Sequence, residues 1–499
     1  MDIHDLLVIG GGINGAGIAR DAAGRGLSVL LVEKGDLASA TSSASTKLVH
    51  GGLRYLEHYE FRLVREALKE REVLLANAPH IVWPLRFVLP HHKDLRPKWM
   101  LRAGLTLYDH IGGRRLLPKS RSVDLTKAPH DAILEDWLTD GFEYSDCWVE
   151  DSRLVVLNAV DARARGADIR TRTTCTGLAR SGDHWEALLT RSNGTVETVH
   201  ARAVVNAAGP WVDDVLGLAL PQERHENLRL VKGSHLIVPR LYDGPQCYIF
   251  QNGDGRIVFA IPYEHDFTLL GTTDVGYDGD RDVIAIDAEE AAYICAAVNE
   301  YLAVDVRPEQ AVSSYSGVRP LYDDKARSNS TVTRDYMFEL EAEGGAPAIL
   351  SIFGGKITTY RKLAEHALEK LGGAGLAVGK AWTKDAPLPG GEGIDPLRFD
   401  AFVEDCQRRY MWFPPRATHR LARAYGQRLH AILGAANGVE DLGPRLGDGL
   451  YAAELSYLVE AEFARTAEDV LWRRSKLGLH LDEAEQAAVA EWFVRNVAT

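Results

Sequence analysis

Apolar and polar positions follow three different patterns along this chain. Leu6 to Ile9 form a short unbroken apolar run, the pattern of a strand buried on both faces. Ile13 to Ala23 carry apolar residues at helical spacing, and Ser28 to Val32 predict a second buried strand. Ala203 to Gly209 (AVVNAAG) predicts another strand that ends in small residues. The stretch 353–371 (FGGKITTYRKLAEHALEKL) predicts a helix opened by a Gly-Gly pair. Between these pieces, RIVFAIPY (256–263) and FTLLGTTD (267–274) read as strands of a mixed sheet. PLPGGEGIDP (387–396) reads as a linker. Beyond it, spacings of three and four residues predict helices, as in ELSYLVEAEFARTAEDVLWRRSKLGL (454–479). No internal repeat is present.

The first strand, helix and second strand frame Gly10-x-Gly12-x-x-Gly15, and Glu33 closes the second strand. Each position has a mechanical reason. Gly10 permits a tight turn, Gly12 lets backbone approach a pyrophosphate, and Gly15 lets helix pack on strand. The helix N-terminus then presents its dipole and free N–H groups to phosphate, while Glu33 suits a ribose diol. These features together predict a dinucleotide site. Its pieces include the strand ending at Gly209 and the Gly354-Gly355 turn, so they are spread over much of the chain. That spread suits an extended FAD better than the compact N-terminal halves that usually hold NAD.

Length, charge and cysteine usage narrow the class. A chain of 499 residues exceeds one ordinary core and predicts two or three domains. No apolar run approaches the ~18 residues that span a bilayer, and MDIHDLLVIG lacks the features of a secretory signal. Cys147, Cys175, Cys247, Cys295 and Cys406 show no short pairing, so neither a disulfide framework nor a metal site is expected, and a cytoplasmic setting is. A net charge of −13 argues against general nucleic-acid binding. Residues 85–121 are the exception to the acidic balance, with nine Lys or Arg against two acidic residues. Trp99, Met100, Leu101, Leu105, Leu107 and Tyr108 are interleaved there, a pattern that suits either an anionic membrane interface or a packed helix with a solvated basic rim.

Several longer phrases carry a resemblance. ATSSASTKLVHGGLRYLEHYEFRLVREALKEREVL (40–74), GFEYSDCWVEDSRL (141–154), VNAAGPWVDD (205–214), LVKGSHLIVPR (230–240), GTTD (271–274), YSGVRPL (315–321) and the 353–371 stretch occur in one order. Together they resemble the FAD-dependent, quinone-linked glycerol-3-phosphate dehydrogenases over most of residues 1–390. The resemblance implies an α/β fold, with a Rossmann-like FAD-binding domain on the glutathione-reductase and D-amino-acid-oxidase plan. It implies an oxidoreductase core over 1–386, a flavin part at 1–80, 150–215 and 345–386, and a substrate part at 81–149 and 216–344. A C-terminal helical domain would occupy 397–499.

The same resemblance implies site residues. Oxidising a secondary alcohol needs a base near the hydroxyl, and His235 in VKGSHLIVP takes that place. Residue type alone singles out none of the 17 histidines. Arg54 and Arg319 would hold a phosphate with their planar forks, Tyr55 would assist, and Lys356 would stabilise charge on the reduced flavin. Flavin contacts would come from Gly10, Gly12, Asn14, Gly15, Glu33, Thr41, Ser42, Ser43, His50, Gly51, Gly52, Gly209, Gly354, Gly355, Lys356 and Thr358. Ser45 and Thr46 add further short donors, while Thr272 and Asp274 are weaker pocket candidates. Gly51 and Gly52 would remove Cβ atoms beside the flat cofactor. The implied reaction converts sn-glycerol 3-phosphate to dihydroxyacetone phosphate, with electrons passing to a membrane quinone. The implied assembly is a homodimer bound peripherally to the inner face of the cytoplasmic membrane. A dioxygen-using glycerol-3-phosphate oxidase is the alternative, and an amine oxidase of the same plan a more distant one.

Overall fold

Two large sheets organise the chain in a computed structural model that describes residues 3–113, 116–222, 225–323 and 335–497. The first is eight-stranded, and its main path runs Met337–Glu341, Ile349–Phe353, Val196–Asn206, Ile3–Ile9, Val29–Val32, Asp168–Arg170. Leu6 pairs in parallel with Val29 on one side and Ala203 on the other, and Val204 pairs with Ile349. Parallel strands are covered on both faces, which is why Leu6, Leu7 and Val8 read as an unbroken apolar run and are fully buried. Helices Ile13–Gly24, Asp151–Ala164 and Tyr360–Gly373 share one hydrophobic cluster against this sheet. Thr173–Ser181 and His184–Arg191 extend it as an antiparallel meander from the strand Val196–Asn206.

The second sheet has ten strands, centred on Leu228–Pro239, Phe267–Gly271, Ile257–Tyr263, Cys247–Gln251, Val82–His91 and Asp140–Val149. Ser313–Tyr322 pairs along nearly the whole of Leu228–Pro239. Two strands cross the expected division of the core. Leu48–Val49, expected in the flavin part, joins the second sheet through Trp148 and Cys147. Met337–Glu341, expected in the substrate part, is an edge of the first sheet. Short connecting strands follow whichever edge offers unpaired backbone groups, and neither segment is long enough to show this by its own pattern.

The C-terminal residues build a separate helical hydrophobic cluster around Phe399, Leu421, Tyr425, Leu455, Leu458 and Leu471. The stretch 454–479 is broken: a helix Ala452–Glu462 stops at Phe463, which adopts φ +64. The backbone N–H groups of Arg465 and Thr466 then donate to Asp469, giving the chain a local alternative to continued helix. Buried ion pairs join this region to the first sheet and its helices: Arg153 with Glu462, and Arg474 with Asp36 at 2.6 Å. Breaking such a buried pair from one side costs about 3–5 kcal/mol. Residues 388–391, within the expected linker, are buried, and Leu388 donates its N–H to Asn77 while Gly390 accepts from Gln427. This stretch is a packed seam. The five cysteines are free and buried. Among the described residues, no helix is long and apolar enough to cross a membrane.

Candidate active site

Three parallel strands end side by side at the glycine-rich turns. Gly10 has φ +112, and a Cβ there would strike the Ala207 carbonyl, so the tight turn requires glycine. A Cβ on Gly15 would strike the Gly10 carbonyl, as close helix–strand packing demands. Glu33 accepts N–H bonds from Gly11 at 2.6 Å and Gly35 at 2.8 Å, which pins the acidic side chain at the end of the second strand. Ser42 accepts the Ile13 N–H at 2.9 Å and so caps the helix from outside. Asn14 donates to the Gly354 carbonyl at 3.0 Å, tying the first turn to the Gly-Gly turn, while its own Oδ1 is buried without a partner among the described residues. Gly209, Gly354 and Gly355 all have positive φ. The cradle, the acidic side chain and the orphaned amide oxygen fit a dinucleotide.

The other predicted hydroxyls serve the protein. Thr41 donates to the Val318 carbonyl and Ser43 to the Ala40 carbonyl, so each already has an acceptor. Gly51 and Gly52 also have reasons within the chain. A Cβ on Gly51 would meet Leu68 and the Tyr108 hydroxyl; on Gly52, at φ +70, it would meet the Tyr55 ring. Packing within the chain by itself requires both positions to be bare.

His235 lies at the centre of the second sheet, opposite Tyr315 on one side and Gly271 on the other. Its ring is 1% exposed and stacks on Tyr315 with centroids 4.7 Å apart. Nε2 lies 3.0 Å from Thr46 Oγ1. Burial first, and then the charges of Lys47 and Arg319, hold its pKa well below the ordinary histidine value. The imidazole is therefore neutral near pH 7, as a proton acceptor must be. Lys47 is itself fully enclosed, bonded at 2.9 Å to both oxygens of Asp151, with its ammonium over the Tyr315 ring. Ser45 donates to the same carboxylate. These partners of Thr46 and Tyr315 fix the loop that carries them, and no motif announced Lys47, Asp151 or Tyr315 as a unit.

Arg319 shares a sheet face with His235, because alternate residues of paired strands point the same way. Between them lies the pair Gly233–Gly317. A Cβ on Gly233 would strike the Arg319 guanidinium, so the bare position lets Arg319 fold back along the face. Arg319 Nη1 is 3.3 Å from Asp274 Oδ1, and the side chain is 34% exposed. The candidate clamp thus already has a carboxylate, and Thr272 flanks the same glycine.

Arg54 and Tyr55 sit on the helical turn Leu53–His58. Lys356 Nζ lies 4.0 Å over the Tyr55 ring. His50 donates its N–H to Thr358 Oγ1 at 3.3 Å, joining this turn to the segment that opens helix Tyr360–Gly373. Burial lowers the His50 pKa, so it too is neutral. The Arg54 guanidinium points toward the turn at Gly255. Neither Arg54 nor Lys356 has a carboxylate partner among the described residues, although Lys47, Arg71, Arg153, Arg361 and Arg474 all do. Two half-buried cations without a carboxylate partner, one on the turn Leu53–His58 and one over the Tyr55 ring of that turn, are what an anion site needs. The structure joins His235 to Thr46, and Tyr55 to Lys356; among the described residues Arg54 and Arg319 share no hydrogen bond or common carboxylate partner.

The basic stretch divides. In helix Lys98–Ile111, Trp99 is 70% exposed and Met100 and Leu107 also face outward, whereas Leu105 and Tyr108 are buried and Leu101 packs inward. Arg86 and Arg121 pair with Glu143, and Lys98 with Asp140. Arg114 and Arg115 lie outside the described residues.

Residues 5–361 match the family described as FAD dependent oxidoreductase, and residues 381–494 match the C-terminal domain of alpha-glycerophosphate oxidase. A glycerol-3-phosphate dehydrogenase of Pseudomonas aeruginosa is 54% identical over 99% of this chain and 95% of its own. A D-erythritol 1-phosphate dehydrogenase of Brucella abortus is 53% identical, over 98% of this chain and 97% of its own. The solved glycerol-3-phosphate dehydrogenase of Bacillus halodurans, complexed with FAD, superposes with a TM-score of 0.77 at 30% identity, covering 99% of this chain and 90% of that one. With the glycine cradle already in place for its cofactor, FAD, the chain belongs to the FAD-dependent glycerol-3-phosphate dehydrogenase family.

Proposed function

We propose that this enzyme oxidises sn-glycerol 3-phosphate to dihydroxyacetone phosphate and passes the electrons to a membrane quinone. The observation that carries the reading is the reach of one short segment. Its start, Thr46, holds the neutral His235, and its end, Tyr55, lies under Lys356 beside Arg54. A base at one end of a short segment and two cations without carboxylate partners at the other suit a substrate with a hydroxyl close to a phosphate.

Bound FAD supplies the hydride acceptor. The chain's residues do the rest. His235 takes the hydroxyl proton at Nδ1, the ring nitrogen without a partner among the described residues, while Thr46 engages Nε2 and orients the ring. Arg54 and Lys356 hold the phosphate monoester, and Tyr55 keeps the Lys356 ammonium in place through its ring face. Arg319 acts from the other side, kept in line by Asp274. The dianionic phosphate, arriving near Arg319, offsets part of the positive potential that keeps His235 neutral. Binding thereby raises the basicity of His235 when a proton is to be taken.

In this reading the oxidoreductase core spans 1–386 and the helical domain 397–499. The enzyme is a homodimer bound peripherally to the inner face of the cytoplasmic membrane. The outward Trp99, Met100 and Leu107, with Leu116, give it an apolar footing for that contact.

A second substrate is favoured by one observation, the similarity to the erythritol 1-phosphate enzyme. That compound also carries a secondary hydroxyl beside a phosphate-bearing carbon, with one more hydroxymethylene. The test is anaerobic addition of each phosphate to the FAD-loaded enzyme, followed by quinone-analogue reduction and peroxide yield in air. Flavin bleaching by glycerol 3-phosphate with quinone reduction supports the reading. Preferential bleaching by erythritol 1-phosphate would reassign the substrate. Stoichiometric peroxide without quinone reduction would make the enzyme an oxidase.

A further inference from the structure

We propose that His184, Glu186 and His200 form a binding site for a divalent transition metal of the zinc class, remote from the flavin cradle. The strand pattern assembles it. His184 and Glu186 are two residues apart on strand His184–Arg191, so they share a face, and His200 on the next strand lies directly opposite Glu186. One ligand-capable atom from each of the three lies within 4.8 Å of the others, and the imidazole rings meet edge to face at 5.1 Å.

Two further observations point to a ligand. His184 Nε2 and His200 Nδ1 are both buried and lack any hydrogen-bond partner among the described residues. Leaving such atoms unsatisfied is unfavourable, and a metal ion satisfies both lone pairs together. Asp183 Oδ1 lies 3.1 Å from His184 Nδ1. A proton on Nδ1 donated to that carboxylate leaves the Nε2 lone pair free, the orientation that metal-bound histidines share.

Two imidazoles and one carboxylate suit zinc and its first-row neighbours better than the all-oxygen ligand sets that magnesium and calcium prefer. Bonds of about 2.0–2.1 Å place tetrahedral ligands roughly 3.4 Å apart. The three side chains therefore close by about 1 Å, which torsion of partly exposed side chains provides, and a water completes the fourth position. His200 precedes Asn206, the cradle end of its strand, by six residues, or about 20 Å of strand. The role is a clip between two strands of the meander, separate from catalysis.

The test uses the full-length, tag-free, FAD-loaded protein, stripped with a chelator and desalted. Zinc is titrated against a chromophoric competitor, with magnesium as control, and the melting temperature is recorded with and without zinc. The expected result is one zinc per chain, a higher melting temperature with zinc but not magnesium, and at least tenfold weaker binding in His200→Gln and Glu186→Gln. Flavin content and turnover should match the parent in both variants, showing that they fold. Substoichiometric uptake by the parent, or equal uptake by folded His200→Gln, overturns the proposal.

Discussion

The two ends of the candidate pocket are built on opposite principles. At the His235 end every neighbour is committed: Thr46 to the ring nitrogen, Tyr315 to its face, and Lys47 to Asp151. This end is dry and fixed before any substrate arrives. At the Arg54 and Lys356 end the side chains are half-buried, and the protein supplies no neutralising carboxylate among the described residues. The difference separates two demands. Proton transfer needs geometry and a tuned basicity, which burial provides; phosphate capture needs charge that remains available, which partial exposure provides.

Breaking each end separately should give different kinetic signatures. The largest effect is expected from His235→Asn, a loss of about 10²–10⁴ in kcat with KM little changed, because only the base is removed. Steady-state kinetics with glycerol 3-phosphate checks this, and a KM effect alone would move His235 out of the proton-transfer role. Next comes Arg54→Ala, with a fall of about 10–100-fold in kcat/KM carried mainly by KM, since a charge-assisted contact to phosphate contributes about 1.5–3 kcal/mol. An unchanged KM there would remove Arg54 from the phosphate site.

Thr46→Val should cost less, about 3–10-fold in kcat, from loss of one orienting hydrogen bond of roughly 0.5–1.5 kcal/mol. The comparison would blur if Thr46→Val acted on KM instead. The smallest effect is a pH displacement. His235 has its pKa lowered in the free enzyme, so its contribution to kcat/KM should persist as pH falls through 6.5, once the substrate's own phosphate titration is subtracted. The acid limb of kcat should lie at higher pH, because bound phosphate raises the same pKa. Coincident limbs would show that the phosphate end does not influence the base end.

Much of the nucleotide half is legible from the chain because its signals are local. Gly10, Gly15 and Glu33 are positioned by one turn and its two flanking elements; the structure finds both glycines with the expected mechanical cause, and Glu33 at the strand end holds the Gly11 and Gly35 amides. Gly51 and Gly52 looked equally local, yet the packing that needs them involves the distant Leu68 and Tyr108 as well as Tyr55. Thr41 and Ser43 looked like donors for a ligand, and the structure shows each donating to a carbonyl of the chain, Val318 and Ala40. In these cases residue type was informative about conformation and silent about the partner. The broken helix after Glu462 is a further example, since apolar spacing continues past a point where Asp469 captures two backbone amides.

By itself the sequence determined the cofactor-binding start, the presence of strands and helices, and the phrases that place the chain in its family. Those depend on neighbours within a few residues, where sterics and hydrogen bonding leave few choices. Only the tertiary structure decided that Lys47 joins Asp151, that Arg319 folds over Gly233 toward Asp274, and that His184, Glu186 and His200 converge. Such contacts join residues far apart in sequence, and they arise from strand register and burial, which exist only once the two sheets have closed.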